Sequence, residues 1–391
     1  MISEIYASVD PPEGKQVSRP RLLLVNWRDP RNPEAGGAEV HLQEVARRLV
    51  ADGFFCLQIS HAFPGAPRKE VWEGVHILRV GGKNTFNFTV WLNLNRWCNE
   101  HAIDVVLDDS NKIAFFAPWF CKQPVVLQLH HLFGRTLFRE TAWLFALYVL
   151  FFEAVMPWCY GRHRVLTGSE SSRVELLRKG FRHVEIAPEG VDLAFYRQSA
   201  PSPRRKGLIL YLGRIKRYKG LDVLLEALCL LKQKHPGARL AIAGTGDDSP
   251  RLRRLAEKWG IADRVDFLGF VDDPRKVELY YASEVVVNSS RKEGWGLTSI
   301  EANACGTPVV ATDVPGLCDS VQHGSTGFLV PFGDAVGFAK ALETLLTDSE
   351  TWQRFSDNAR QWAEAHTWEP AYEITRASIL SAYAERQGRV L

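Results

Sequence analysis

Short apolar runs alternate along this chain with longer segments whose apolar positions recur every three or four residues. The first run, "RLLLVNW" (21–27), reads as a buried strand. A polar loop, "RDPRNPEAGG", follows it. Next comes "AEVHLQEVARRLVADG", in which Leu42, Val45 and Leu49 share one helical face and Gly53 stands where a helix ends. "FFCLQIS", "HILRV", "DVVLDD" and "PVVLQLH" continue the strand series. The alternation then restarts with "GLILYLGRI", the helix "KGLDVLLEALCLLKQKHPG", and the strands "ARLAIAG", "RVDFLGFV", "SEVVVNSS" and "TPVVATDV". Strands alternating with helices predict parallel, doubly wound sheets. The Pro- and Ser-containing basic stretch "SAPSPRRKG" reads as a linker, which places a boundary near 196–206. The expected organisation is an arm over 1–20, one Rossmann-like domain over 21–200 and a second over 201–370. Ligands in such folds sit beyond the C-terminal ends of the strands, so the chemistry is expected in the loops that follow them.

Length supports the division, since 391 residues exceed one ordinary core. A net charge of +3 is too small to imply nucleic acid, though it suits an anionic ligand or membrane surface. Seven scattered cysteines without a C-x-x-C pair read as free thiols, and the N-terminus lacks the pattern of a signal peptide. Both point to the cytoplasm. The stretch "TAWLFALYVLFFEAVMPWCY" (141–160) is interrupted by Glu153 and Pro157, which argues against a membrane span. It is expected to be a buried helix of the first domain. The alternative is a helix at the membrane surface, flanked by Arg135, Arg139, Arg162 and Arg164.

Four loops carry candidate chemistry. "RKEGWG" follows the strand "SEVVVNSS" and leads into the helix "LTSIEANAC", whose N-terminus offers unpaired N–H groups to an anion. Glu293 and Glu301 bracket this stretch. A carboxylate accepts two hydrogen bonds at once, as a vicinal diol on a sugar requires, although Thr298 and Glu301 also have the spacing of a capping box. "GRIKRYKG" places Arg214 and Lys219 after the first strand of the second domain, where fixed positive charge can meet a diphosphate. "EAGGAEVH" puts Gly36 and Gly37 between the first strand and first helix, allowing close backbone approach. In "LQLHHLFG", His130 ends a strand and should face the cleft, while adjacent His131 points elsewhere. "GTGDDS" lacks the third glycine of a dinucleotide fingerprint, there is no G-x-S-x-G elbow, and no Asp-x-Asp stands at a plausible metal position.

The stretch "EGWGLTSIEANACGTPVVATDV" strongly resembles the E-x7-E signature of the retaining glycosyltransferases of family 4, which have the GT-B fold: two Rossmann-like domains facing each other across a cleft. By that resemblance Glu293 contacts the donor sugar and Glu301 the ribose of its nucleotide. Gly296, Leu297 and Thr298 approach sugar and diphosphate. Arg214 and Lys219 grip the diphosphate, Gly36 and Gly37 lie against donor phosphate and acceptor, and His130 is the active-site histidine. Gly244, in "IAGTGDD", passes near the base, and residues 371–391 form a helix crossing back to the first domain. The resemblance covers roughly 21–385. One departure is Glu189, where asparagine is commoner before Gly-Val-Asp.

The function implied is retaining transfer of a hexosyl group from a UDP- or GDP-linked sugar to a hydroxyl acceptor in polysaccharide or glycolipid biosynthesis, without cofactor or metal. The acceptor can be lipid-linked, with peripheral contact through 135–164 at the inner face of the membrane. The alternative is a non-catalytic sugar-nucleotide binder that kept the fold.

Overall fold

The computed structural model describes residues 19–110, 113–134, 143–198 and 203–388. Most of the expected N-terminal arm, Arg135, Arg139, Thr141, Ala142 and linker residues 199–202 lie outside them.

The first sheet contains β1 (Arg21–Val25), β2 (Phe55–Ser60), β3 (Lys69–Trp72), β4 (Val75–Arg79), β5 (Val105–Ser110), β6 (Val125–Leu129), β7 (Arg164–Thr167) and β8 (His183–Ile186). Its order is β3-β4-β2-β1-β5-β6-β7-β8. Every neighbouring pair is parallel except β3 with β4. That hairpin escaped the sequence pattern. Its turn is Glu73-Gly74, both residues at positive φ, as in a type I′ hairpin turn. Leu22 pairs with Cys56 on one side and Val105 on the other. Helices cover both faces, so β1 reads as an unbroken apolar run rather than an alternating one.

The second sheet contains β9 (Leu208–Leu212), β10 (Arg239–Ala243), β11 (Val265–Gly269), β12 (Val285–Asn288), β13 (Val309–Thr312) and β14 (Gly327–Val330). Its order is β11-β10-β9-β12-β13-β14, parallel throughout. The strand order reverses between β1 and β5 in one sheet and between β9 and β12 in the other. Those are the switch points where the crevice of a doubly wound sheet opens.

The first domain's helices are α1 (Gly37–Ala51), α2 (Phe86–Glu100), α3 (Ala117–Phe120), α4 (Trp143–Tyr160), α5 (Glu170–Arg178) and α6 (Leu193–Gln198). Those that follow are α7 (Leu221–Leu231), α8 (Ser249–Lys258), α9 (Asp273–Ala282), α10 (Leu297–Ala304), α11 (Leu317–Ser320), α12 (Ala335–Thr347), α13 (Ser349–Glu364) and α14 (Trp368–Arg386). The last returns to the first sheet: Trp368, Ala371 and Ile379 join the core of Leu22, Leu24 and Leu42, and Arg376 Nε donates to Asp52 at 2.8 Å.

The expectation of a buried helix at 141–160 needs correction. α4 buries only one face, through Ala146, Val149, Glu153, Met156, Cys159 and Tyr160. Leu144, Phe145, Leu147, Phe151 and Trp158 point to solvent. The charge inside it has a local purpose, since Glu153 accepts the N–H groups of Phe133 (2.6 Å) and Gly134 (3.0 Å) and so ties down the loop after β6.

Candidate active site

The first domain brings three loops to the crevice. Gly36 caps α1, and its N–H donates to Glu39 Oε2 at 2.8 Å, while Glu39 Oε1 meets Arg28. Gly37 faces the other domain: a Cβ built there would lie 3.7 Å from Glu189 Oε2 and 4.0 Å from Leu297. Those are ordinary contacts, and Gly36 has extended backbone at φ −149°. Neither strain nor crowding in the free protein demands glycine here. What the absence of side chains leaves is room for something to lie against the backbone.

His130 directly follows β6 and is 3% exposed. Its Nε2 meets Asp109 Oδ1 at 2.8 Å, and its Nδ1 lies 3.5 Å from Glu189 Oε1, an ion-pair distance rather than a well-made hydrogen bond. Burial by itself would lower the ring's pKa. The two carboxylates outweigh it and raise the pKa to about 10, so the ring is an imidazolium at neutral pH. His41, on α1, stands edge-on to it at 5.4 Å and is neutral, with burial first and His130 second lowering its pKa to about 4.

The neighbouring His131 faces the other way. Burial and then Lys292 lower its pKa to about 3, and Glu293 and Lys219 are also among its charged neighbours. His131 therefore lies on the side of the Lys219–Glu293 pair, and His130 on the side of Asp109 and Glu189. The Asp-Asp of β5 likewise diverges. Asp109 accepts from Asn26 and His130, whereas Asp108 accepts from Tyr160 and the N–H groups of Phe115 and Ala117.

In the second domain, Arg217–Lys219 form a single 3-10 turn after β9, ended by Gly220 in the left-handed region. Lys219 Nζ donates to Glu293 Oε1, which also accepts from Ser290 Oγ at 2.6 Å. Burial would discharge both groups. Their mutual attraction wins, raising the pKa of Lys219 and lowering that of Glu293, so the pair is ionic. Arg214 is exposed, and Lys216 is held by Asp247 at 2.7 Å.

Gly296 caps α10 at φ 100° with no side-chain hydrogen bond, so the helix starts at Leu297 and Thr298 is already inside it. The capping-box alternative for Glu301 fails for that reason. Glu301 instead accepts from Tyr280 at 2.7 Å and Lys276 at 3.1 Å, and the buried Tyr196 hydroxyl is a third partner. Gly244 has a structural cause for its lack of a side chain: at φ 137°, a Cβ would sit 2.0 Å from the Gly213 carbonyl oxygen.

The two halves meet. The Gly294 backbone abuts the His130 carbonyl, 2.9 Å from the place a Cβ would take. Ser171, at the start of α5, donates to Asp319 of α11, and Lys292 pairs with Glu175 at 3.3 Å. Gly36, Gly37, His130, Lys219, Glu293, Gly296 and Leu297 thus gather at the facing crevices. Glu301 is set back against α9, and Gly244 lies in the crossing of two loops. The sequence did not single out Asp109, and Glu189 stood out only as a departure. A polar pair ending an apolar strand was the available signal for Asp109. Among the described residues, no three His, Cys, Asp or Glu side chains cluster in a way that could hold a metal ion.

Two family profiles match the chain: "Glycosyltransferase Family 4" over residues 35–195 and "Glycosyl transferases group 1" over 193–362. A D-inositol 3-phosphate glycosyltransferase of Pseudarthrobacter chlorophenolicus is 35% identical over 246 residues, 59% of this chain and 59% of that enzyme's length. Among solved structures, sucrose-phosphate synthase from Thermosynechococcus elongatus superposes with TM-score 0.81 at 22% identity, covering 94% of this chain and 100% of that one. Anabaena HepE, solved in complex with UDP-glucose, does so with TM-score 0.74 at 20% identity, covering 93% and 100%. At those identities the superpositions speak for the fold, which is GT-B. The two profiles adjoin at the domain junction and between them take in both walls of the cleft, and the chain belongs to glycosyltransferase family 4.

Proposed function

We propose that this protein moves a hexosyl group from a nucleoside diphosphate sugar, UDP- or GDP-linked, to a hydroxyl acceptor with retention at the anomeric carbon. The observation that carries the proposal is the ionic Lys219–Glu293 pair at the β9–β12 crevice, directly opposite the strand end bearing His130. Lys219, exposed Arg214 and the N-terminus of α10 supply positive potential for the diphosphate as it leaves with the bonding electron pair. Glu293 holds sugar hydroxyls, and Glu301, held in place from α9 by Lys276 and Tyr280, accepts from the ribose. The acceptor oxygen bonds to the anomeric carbon on the face the diphosphate vacates, and the acceptor proton passes to a departing phosphate oxygen. The UDP-glucose complex of HepE supports a uridine donor by analogy of fold. The test is thermal stability with UDP, GDP, ADP and dTDP, each with and without magnesium. A rise with one nucleotide, independent of metal and lost in Glu301→Ala, is expected. No rise with any of them refutes the donor assignment.

The exposed face of α4 supports an acceptor at a membrane surface. It continues through Trp119, ring to ring with Trp158 at 5.5 Å, and through Phe152 to Trp91 and Phe88 of α2. Leu92 and Trp158 are more than four-fifths exposed, and basic Lys122 and Arg162 follow α3 and α4. Aromatic and aliphatic side chains beside cations suit the headgroup layer of an anionic bilayer. Each large apolar side chain taken out of water contributes roughly 1.5–3 kcal/mol. Trp158→Glu should therefore cut binding to vesicles containing phosphatidylglycerol at least tenfold without changing the melting temperature. Equal sedimentation of wild type and variant with vesicles sinks the membrane assignment.

A further inference from the structure

Glu189 lies in the turn between β8 and α6, and the turn does not need its carboxylate. The backbone there is fixed by Gly190, whose Cβ would sit 2.3 Å from the Thr367 carbonyl carbon, and by the Val191 N–H donating to His366 O at 2.9 Å. The Glu189 side chain runs into the interdomain cleft instead. Its Oε1 faces His130 Nδ1 at 3.5 Å, its Oε2 faces the Gly37 backbone, and its Cγ lies beside Gly168. Among the described residues, His130 is its ion-pair partner.

The two ends of the His130 ring differ in kind. The Nε2 end is closed, with a 2.8 Å contact to an Asp109 that is fully buried and already accepts from Asn26 at 2.6 Å. The Nδ1 end is loose: the atom is buried, makes no hydrogen bond among the described residues, and faces the Glu189 carboxylate beside the glycine loop. An imidazolium only donates and a carboxylate only accepts, so a group that both accepts and donates matches this pair when it lies alongside their long 3.5 Å contact. A sugar hydroxyl is such a group.

We infer that Glu189 is a substrate-positioning residue: it keeps Nδ1–H of His130 aimed into the cleft, where a hydroxyl of the bound sugar accepts from Nδ1–H and donates to the Glu189 carboxylate. The inference rests on the nucleotide-sugar function proposed above. It adds a requirement for a free hydroxyl on the donor, since a fluorine at that position can accept from the ring but cannot donate to Glu189. The titratable groups facing the ring are Asp109 from β5, Glu189 from its turn and His41 from α1. His41 is neutral, so the charge of His130 is set by the two carboxylates.

The test uses the full chain with Glu189→Gln, which keeps the shape, and Glu189→Asp, which keeps the charge. Three readouts are taken: UDP affinity by calorimetry, the titration of His130 by imidazole 15N NMR, and UDP release from UDP-glucose. In Glu189→Gln, UDP affinity should stay within twofold, the His130 midpoint should fall by at least one pH unit, and kcat should drop at least tenfold. Glu189→Asp should recover part of both losses. An unmoved His130 titration in a folded Glu189→Gln, or unchanged turnover, overturns the inference. If UDP does not bind the wild type, the donor assignment fails separately, while the ligand-free titration still decides whether Glu189 holds His130. Should Glu189→Gln not fold, Glu189→Asn puts the same question with a smaller side chain.

Discussion

The state of His130 makes a prediction that needs no substrate. With a folded-state pKa of about 10 and an unfolded one of about 6.5, protonation of this ring stabilises the fold fully below pH 6.5. That contribution is lost as the pH rises through 10, by about 1.4 kcal/mol per pH unit in between. His41 and His131, with pKa values lowered to about 4 and about 3, act with the opposite sign. Their contribution is lost as the pH falls below 6.5, so they add nothing between pH 7 and 9. Over those two units the wild type should lose on the order of 2–3 kcal/mol from His130, roughly 5–10 °C in the first-domain melting temperature. Asp109→Asn removes the nearer carboxylate, at 2.8 Å, and leaves Glu189 at 3.5 Å. The variant should be destabilised by about 2–3 kcal/mol at pH 7, converge on the wild type by pH 10, and show less than half the wild-type slope. Calorimetric melting at half-unit steps from pH 6.5 to 9.5 measures this. Parallel curves for wild type and variant would show that His130 is not held as an imidazolium by Asp109.

Other substitutions separate chemistry from scaffold. Glu293→Gln should lower sugar transfer from UDP-glucose at least a hundredfold with UDP affinity within about threefold, because the charge that orients the sugar goes while the nucleotide contacts stay; wild-type turnover would remove Glu293 from the mechanism. Gly244→Ala should cost about 3 kcal/mol or more, since its Cβ would meet the Gly213 carbonyl at 2.0 Å on a backbone that L-residues avoid. Gly37→Ala, whose Cβ would meet only ordinary contacts, should melt within about 1 °C of wild type and yet lose at least tenfold in donor turnover; equal thermal losses in the two glycine variants would contradict the distinction drawn between them.

Much of this site was legible in order along the chain. A strand that is apolar throughout because both its faces are covered, followed by glycine and charge, marks a parallel-sheet crevice. That held for Gly36 and Gly37 after β1, for Lys219 after β9 and for Glu293 after β12. These signals are local, each residing within a dozen residues. The helix at 141–160 shows where local pattern stops informing. Its composition is apolar on every side, so periodicity could not say that one face packs on the sheet while the other meets solvent.

What the sequence determined by itself was the fold class, the two-domain division and the loops that carry charge and glycine to the strand ends. Hydrophobic periodicity and turn chemistry act over short distances and are written directly in residue order. Only the tertiary structure decided which histidine meets Asp109 and which lies toward Glu293, that Glu189 leaves its turn for the cleft, and that Gly244 answers to loop packing. Each depends on contacts between residues far apart in sequence, such as Asn26 with Asp109 at a separation of 83. No local preference selects such contacts. They are settled when sheets take their register and the two domains close on one another.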